Sequence, residues 1–295
     1  MTRKDFLQLG IAGGSVAALS TLGSLARTLE YSDTVMPAFF VGHGSPMNAI
    51  EDNRHSQSWK HIFPSGEIPR MILCVSAHWL TRGSYITSNV KPRTIHDFGG
   101  FPEALFQVQY PAPGSPELAK EVAAAIHNVQ AQLTEDWGLD HGTWSILKHI
   151  RPQADIPVLQ LSIDYKEPAS FHYALGRELA ALRRRGVLII GSGNMVHNLG
   201  MVAWEHTAET DYGYDWALQM NETFNQKLLN RDFDALVNYQ QWGEAARKAV
   251  PTPDHYYPML YTLGLVEKND ELSLFNDSVI MGSLSMTSFS LIQKS

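Results

Sequence analysis

Three apolar runs in this chain stop at a histidine: Phe39-Phe40-Val41-Gly42-His43, Leu73-Cys74-Val75-Ser76-Ala77-His78, and Leu188-Ile189-Ile190-Gly191-Ser192-Gly193, which reaches His197 four residues on. A short run of large apolar residues ending in Gly or Ser has the pattern of a buried strand leaving its sheet. In open α/β sheets, ligands bind in the crevice beyond the carboxyl ends of the strands. Imidazoles delivered there from several strands can meet at one point, and neutral imidazole is the commonest protein ligand for first-row metals. The runs therefore predict both a sheet and a metal site at its edge.

From Val35 onward, strand-like and helix-like segments alternate. The expected strands are Val35 to Val41, Met71 to Ser76, Ser84 to Asn89, Val158 to Ile163, Val187 to Gly191 and Val279 to Leu284. The expected helices are Ser115 to Val129, Ser170 to Arg185, Tyr214 to Leu229, Phe233 to Tyr239 and Tyr256 to Leu263. Ser115-Pro116-Glu117 supplies an N-cap, a proline at the first helical position and an early acid. This alternation predicts an α/β fold, a three-layer α/β/α sandwich around a central, mostly parallel or mixed sheet. The stretch from Lys91 to Gly114, rich in Pro, Gly and aromatic residues, has the composition of a lid rather than a solvated connection.

Bulk numbers narrow the function. The 295 residues are 44% hydrophobic and 18% charged, which suits one large globular domain or two small ones with an ample core. A formal net charge of −7 and the lack of a basic stripe argue against nucleic acid as a partner. Arg183-Arg184-Arg185 reads as a solvated helix end that complements the helix dipole. The single cysteine, Cys74, lies inside an apolar strand. With no disulfide framework and no thiolate cluster, any metal must be held by His, Asp or Glu.

The first thirty residues differ from the rest. Thr2-Arg3-Lys4-Asp5-Phe6-Leu7 precedes a charge-free Gly/Ala/Leu/Ser stretch ending near Ser24-Leu25-Ala26, the pattern of a secretion signal. It resembles a twin-arginine signal with Lys4 in place of the second arginine. The expected organisation is a signal over 1–30 and one domain over 35–295, periplasmic if the signal is used and cytoplasmic otherwise. No other stretch suits a membrane span. The oligomeric state is not legible.

Twelve histidines are present. His55, His61, His127, His149, His172 and His206 sit in polar or helical contexts and read as surface or structural residues. His43, His78, His197 and His255 each lie at a strand exit or a Pro-bounded turn, the last within Pro251-Thr252-Pro253-Asp254-His255. Together they suggest a shared metal site. In Leu139-Asp140-His141-Gly142-Thr143-Trp144 a turn would expose His141 beside an Asp able to orient it, which suits a proton carrier or a ligand. His96, in the lid, either joins the chemistry or shapes the loop by a hydrogen bond. Gly191-Ser192-Gly193 follows a strand, but Val196 occupies the third glycine position of a dinucleotide fingerprint. No G-x-S-x-G elbow, Walker A loop or HExxH helix is present.

Taken in order, Gly42-His43-Gly44-Ser45-Pro46, Ser76-Ala77-His78-Trp79, His96-Asp97-Phe98-Gly99-Gly100-Phe101-Pro102, Tyr110-Pro111-Ala112-Pro113-Gly114, Asp140-His141-Gly142-Thr143-Trp144, Gly191-Ser192-Gly193 through His197-Asn198-Leu199, and Asp254-His255-Tyr256 resemble the 4,5-DOPA extradiol dioxygenases. These are class III ring-cleaving enzymes related to the protocatechuate 4,5-dioxygenase catalytic subunit. The resemblance implies a single-domain α/β fold with one divalent metal per chain, carried over onto His43, His78, His197 and His255. Many non-haem iron oxygenases use two His and one carboxylate, whereas the matching third position here is His255. Asp254 and Asp140 are then expected to orient the rings from behind.

By resemblance the reaction is extradiol cleavage of a catechol such as DOPA by O2 to a muconic semialdehyde-type product. Fe(II) is the metal the chemistry calls for. Zn(II) also suits four histidines. His197 and His141 are the candidate acid/base residues, His197 being open to either role. The alternatives are a zinc-dependent hydrolase, or a non-catalytic interaction protein like the Memo family. Phe98 to Phe101, Trp79, Trp144 and Tyr256 are expected either to wall the ring or to serve as core aromatics.

Overall fold

The computed structural model describes residues 34–63 and 68–294. The expected signal over 1–30 therefore lies outside the described residues. Eight strands form one sheet in the order β4-β3-β5-β2-β6-β1-β10-β7. These are β1 (Ala38–Gly42), β2 (Met71–Thr81), β3 (Tyr85–Thr87), β4 (Gln132–Thr134), β5 (Val158–Asp164), β6 (Val187–Gly193), β7 (Asp270–Phe275) and β10 (Ser288–Gln293). A separate hairpin pairs β8 (Val279–Ile280) with β9 (Leu284–Ser285). The central strands β5, β2, β6 and β1 run parallel, and β10 and β7 extend the sheet antiparallel at one edge. The α/β architecture follows the sequence reading.

Alternation along the central strands feeds two cores. Met71, Leu73 and Val75 face one side with Leu175, Leu179 and Met259, while Ile72 and Cys74 face the other with Trp144, Ile146 and Leu147. Helices Pro116–Ala124, Ala169–Arg183, Asp215–Leu229 and Tyr257–Gly264 cover the first face, and helix His141–Ile150 covers the second. Burial on both faces explains why these strands read as continuous apolar runs.

Three expectations need correction. The single strand over Val279 to Leu284 is instead the β8-β9 hairpin, because Met281 (φ 49°) and Gly282 (φ 83°) turn the chain back. Helix His141–Ile150 stands where a turn was expected, with Asp140 as its N-cap accepting from Thr143 N. Nor is Arg183 solvated. Its side chain is fully buried and pairs with Asp270 through two bonds of 2.6 and 2.9 Å. It also donates to the carbonyls of Met36, Leu265 and Leu291, clamping the sheet edge.

Candidate metal centre

Strands β2, β6 and β1 are neighbours, so their C-terminal ends bring their following residues to one end of the sheet. His43 leaves β1 directly, its N–H donating to Gly193 O at 3.2 Å. His78 is placed by a bulge. Pairing of β2 with β5 runs evenly to Val75↔Leu161 and resumes at Leu80↔Ile163, so Ser76, Ala77, His78 and Trp79 stand opposite Ser162 alone. Such an insertion re-aims side chains that regular pleating would fix. His255 arrives on a separate loop, whose carbonyl accepts from Asn194 N at 2.9 Å. A Cβ on Gly193 would stand 2.2 Å from that carbonyl, so only glycine admits the loop there.

Five imidazoles gather here. Ring centroids of His43 lie 5.0 Å from His78, 5.5 Å from His141 and 5.2 Å from His255, and His78 lies 3.8 Å from His141. The candidate ligand atoms of His43, His78 and His141 fall within 4.8 Å of one another, as do those of His197, Asp254 and His255.

Hydrogen bonds to Nδ1 set the tautomers. Ser192 Oγ must donate to Gly142 O (2.5 Å), since a carbonyl only accepts, and so it accepts from His43 Nδ1 at 2.9 Å. His141 Nδ1 donates to Asp97 Oδ2 at 2.9 Å, and His255 Nδ1 to Asp254 Oδ2 at 2.6 Å. His78 Nδ1 faces the same Asp97 oxygen at 3.4 Å. In His43, His141 and His255 the proton is drawn to Nδ1 and Nε2 keeps its lone pair, the arrangement metal-binding histidines adopt.

His43 Nε2 and His78 Nε2 lie 3.1 Å apart. That distance suits a hydrogen bond when His78 carries its proton on Nε2, and two ligands of one ion when it carries it on Nδ1. Nitrogens bound at about 2.1 Å to one ion are separated by about 3.0–3.4 Å, so the residues fit a first-row divalent metal. Burial holds His43 and His255 well below the ordinary imidazole range, with the neighbouring histidines adding to the effect. Burial, followed by the His141 charge, brings His78 down to about 3. His197 falls to about 4, chiefly through burial. Neutral rings of this kind compete poorly for protons and remain open to a metal.

His197 is arranged differently. Its ring lies flat on that of His255, with centroids 3.5 Å apart and planes 7° from parallel.

A family model described as the catalytic LigB subunit of aromatic ring-opening dioxygenase matches residues 37–283. The chain belongs to this family. It is 44% identical over 268 residues to a 4,5-DOPA dioxygenase extradiol of Escherichia coli (strain K12), covering 90% of this chain and 97% of the relative. A 4,5-DOPA dioxygenase extradiol of Beta vulgaris is 35% identical over 264 residues, covering 87% and 97%. The crystal structure of an uncharacterized protein from Escherichia coli K12 superposes with a TM-score of 0.73 at 40% identity, over 86% of this chain and 99% of that one.

Within this ring-opening dioxygenase, the histidines singled out in the sequence come together, with several neighbours in unexpected parts. His141 is buried at the first turn of its helix rather than exposed on a turn. Asp140 does not orient it. That carboxylate accepts from Ser76 Oγ, Gln160 Nε2, Trp137 Nε1 and Thr143 N, tying strands to the helix start. Orientation of His141 falls instead to Asp97, next to His96 in the chain. His96 Nε2 donates to Val108 O at 3.0 Å and shapes the loop. Trp144 and Tyr256 are core residues, bonded to the carbonyls of Ile95 and Leu236, whereas the Phe98 ring meets His141 edge-on at 5.5 Å. Among the described residues no helix is long and apolar enough to cross a membrane.

Proposed function

We propose that this chain opens the ring of a catechol with dioxygen, beside a divalent metal held by His43, His78 and His255, with His197 and His141 moving protons. The observation that carries this reading is the pair of facing Nε2 atoms, 3.1 Å apart, on rings whose Nδ1 positions face Ser192 and Asp97. When bound, ferrous iron supplies the one-electron chemistry that dioxygen needs to react with an aromatic ring, which zinc lacks.

The protein's own part is positional. His197, stacked on the ring of His255, is the base for the catechol hydroxyl proton. His141 keeps Nδ1 bonded to Asp97 and presents Nε2, so a proton taken or given there leaves its partner undisturbed. Phe98 walls the His141 side and limits water beside the ring. The overall reaction places both oxygen atoms of O2 in a ring-opened semialdehyde acid.

The test is anaerobic loading with Fe(II), then L-DOPA and air, which should give a yellow product absorbing in the visible. His255→Ala should lose the metal, whereas His197→Ala should keep it and lose turnover. No product from the iron-loaded protein with any simple catechol would overturn the reading.

A further inference from the structure

Strand β5 buries one side chain that an apolar core does not call for. Gln160 is fully buried between Leu159 and Leu161, which face the first core with Leu73 and Val75. Alternation turns Gln160 the other way, on the side of Cys74, its partner across the ladder, and towards the start of helix His141–Ile150.

Both ends of the amide are used on one residue. Asp140 N–H donates to Gln160 Oε1 at 2.9 Å, and Gln160 Nε2 donates to Asp140 Oδ2 at 2.7 Å. A backbone N–H can only donate, so this pairing fixes which way the amide faces. The other carboxylate oxygen, Oδ1, accepts from Ser76 Oγ at 2.7 Å, and the same hydroxyl accepts from His78 N–H at 3.3 Å. Ser76 opens the bulge that presents His78, and Asp140 caps the helix whose first residue is His141. One chain of hydrogen bonds therefore runs from Gln160 through the carboxylate to the backbone of His78, and the same carboxylate starts the helix of His141. Asp97 orients the two rings, whereas this chain sets where their backbones stand, with ring centroids 3.8 Å apart.

We propose that Gln160 is a positioning residue for the metal centre: it holds Asp140 from within the sheet and so, through Ser76 and the helix cap, sets the separation of His78 and His141. The proposal rests on the metal centre of the ring-opening reading, and its test reads bound Co(II) rather than turnover. Gln160→Met keeps the length of the side chain but leaves Asp140 N–H and Oδ2 without the amide, and a buried network that loses one member loses its geometry. Co(II) affinity by equilibrium dialysis should fall about tenfold, the lower end for groups that act from behind a ligand, and the visible d–d bands of the bound ion should shift. Ser76→Ala cuts the chain at its other end by removing a single atom, and should give the same two effects. In the double variant the losses should not add, because both act through Asp140. Cys74→Ala, which removes the sulfur opposite Gln160 and none of these hydrogen bonds, should lower the melting temperature without moving the spectrum.

Wild-type Co(II) affinity and spectrum in a folded Gln160→Met or Ser76→Ala protein would overturn the proposal, and so would additive losses in the double variant or equal losses in Cys74→Ala. If the expected losses appear but the iron-loaded wild type opens no catechol, the ring-opening reading fails and the positioning role stands.

Discussion

Asp97 holds His141 at two points, its Oδ1 accepting from the backbone N–H and its Oδ2 from Nδ1, both at 2.9 Å. The same Oδ2 lies 3.4 Å from His78 Nδ1, so one loop carboxylate orients two rings of the cluster. Asp97→Asn keeps the size but can offer its amide NH2 to a ring nitrogen, favouring the wrong tautomer. Metal affinity should fall about 10–100-fold, the usual cost of losing a partner behind a ligand. Equilibrium dialysis against Fe(II) or Co(II), with circular dichroism to confirm the fold, checks this. Full affinity in the variant would remove Asp97 from the site.

Gly142 is required for space. A Cβ there would lie 2.4 Å from Ser76 Oγ and 2.9 Å from His78 Cδ2, and the Gly142 carbonyl receives the Ser192 hydroxyl that sets the His43 tautomer. Gly142→Ala should displace His78 and weaken His43 together. We expect loss of most bound metal and of turnover while the chain stays folded, read by metal analysis beside a thermal melt. A variant that binds metal normally would show that the bulge relaxes at no cost.

The sequence makes the central sheet legible because β1, β2, β5 and β6 are buried on both faces, so that β1, β2 and β6 begin as apolar runs and β5 is broken only by Gln160 and Ser162 before Asp164. Strands β7 and β10 lie towards the antiparallel edge and escape that signal, β7 because it is buried at Asp270 alone and β10 because serines alternate with Phe289 and Leu291. The site was legible where a histidine ended a run. It was not where the partner came from far along the chain: Asp97 and His141 are 44 residues apart, and no local pattern joins them. Arg183 misled for a similar reason. Its neighbours resemble a helix end, and only the arrival of Asp270 converts that end into a buried pair.

That pair should contribute strongly to stability. Breaking one side of a buried, hydrogen-bonded ion pair leaves an uncompensated charge and costs about 3–5 kcal/mol. Asp270→Asn strands the guanidinium, and Arg183→Met strands the carboxylate together with three carbonyls. Both should be destabilised by about that amount in urea unfolding, with Arg184→Met, whose site is only half-buried, much less affected. Equal losses at the two arginines would contradict the special role of Arg183.

His172 sets a pH dependence away from the metal centre. Its ring is fully buried, stacked on Tyr257 at 4.1 Å, with Nε2 donating to Glu167 O and Nδ1 accepting from Tyr261 Oη. The neutral form is thus satisfied on both nitrogens, and burial brings the group down from 6.5 to about 4. Between those values the unfolded chain takes up a proton that the folded chain refuses. Stability from this residue is therefore complete above pH 6.5 and is lost as pH falls to about 4, by about 3 kcal/mol in all. His172→Gln should be less stable than wild type at pH 7, and the gap should narrow by about that amount by pH 4. Urea unfolding of both proteins across this range measures the gap, and a constant difference would mean that His172 becomes protonated without disturbing the fold.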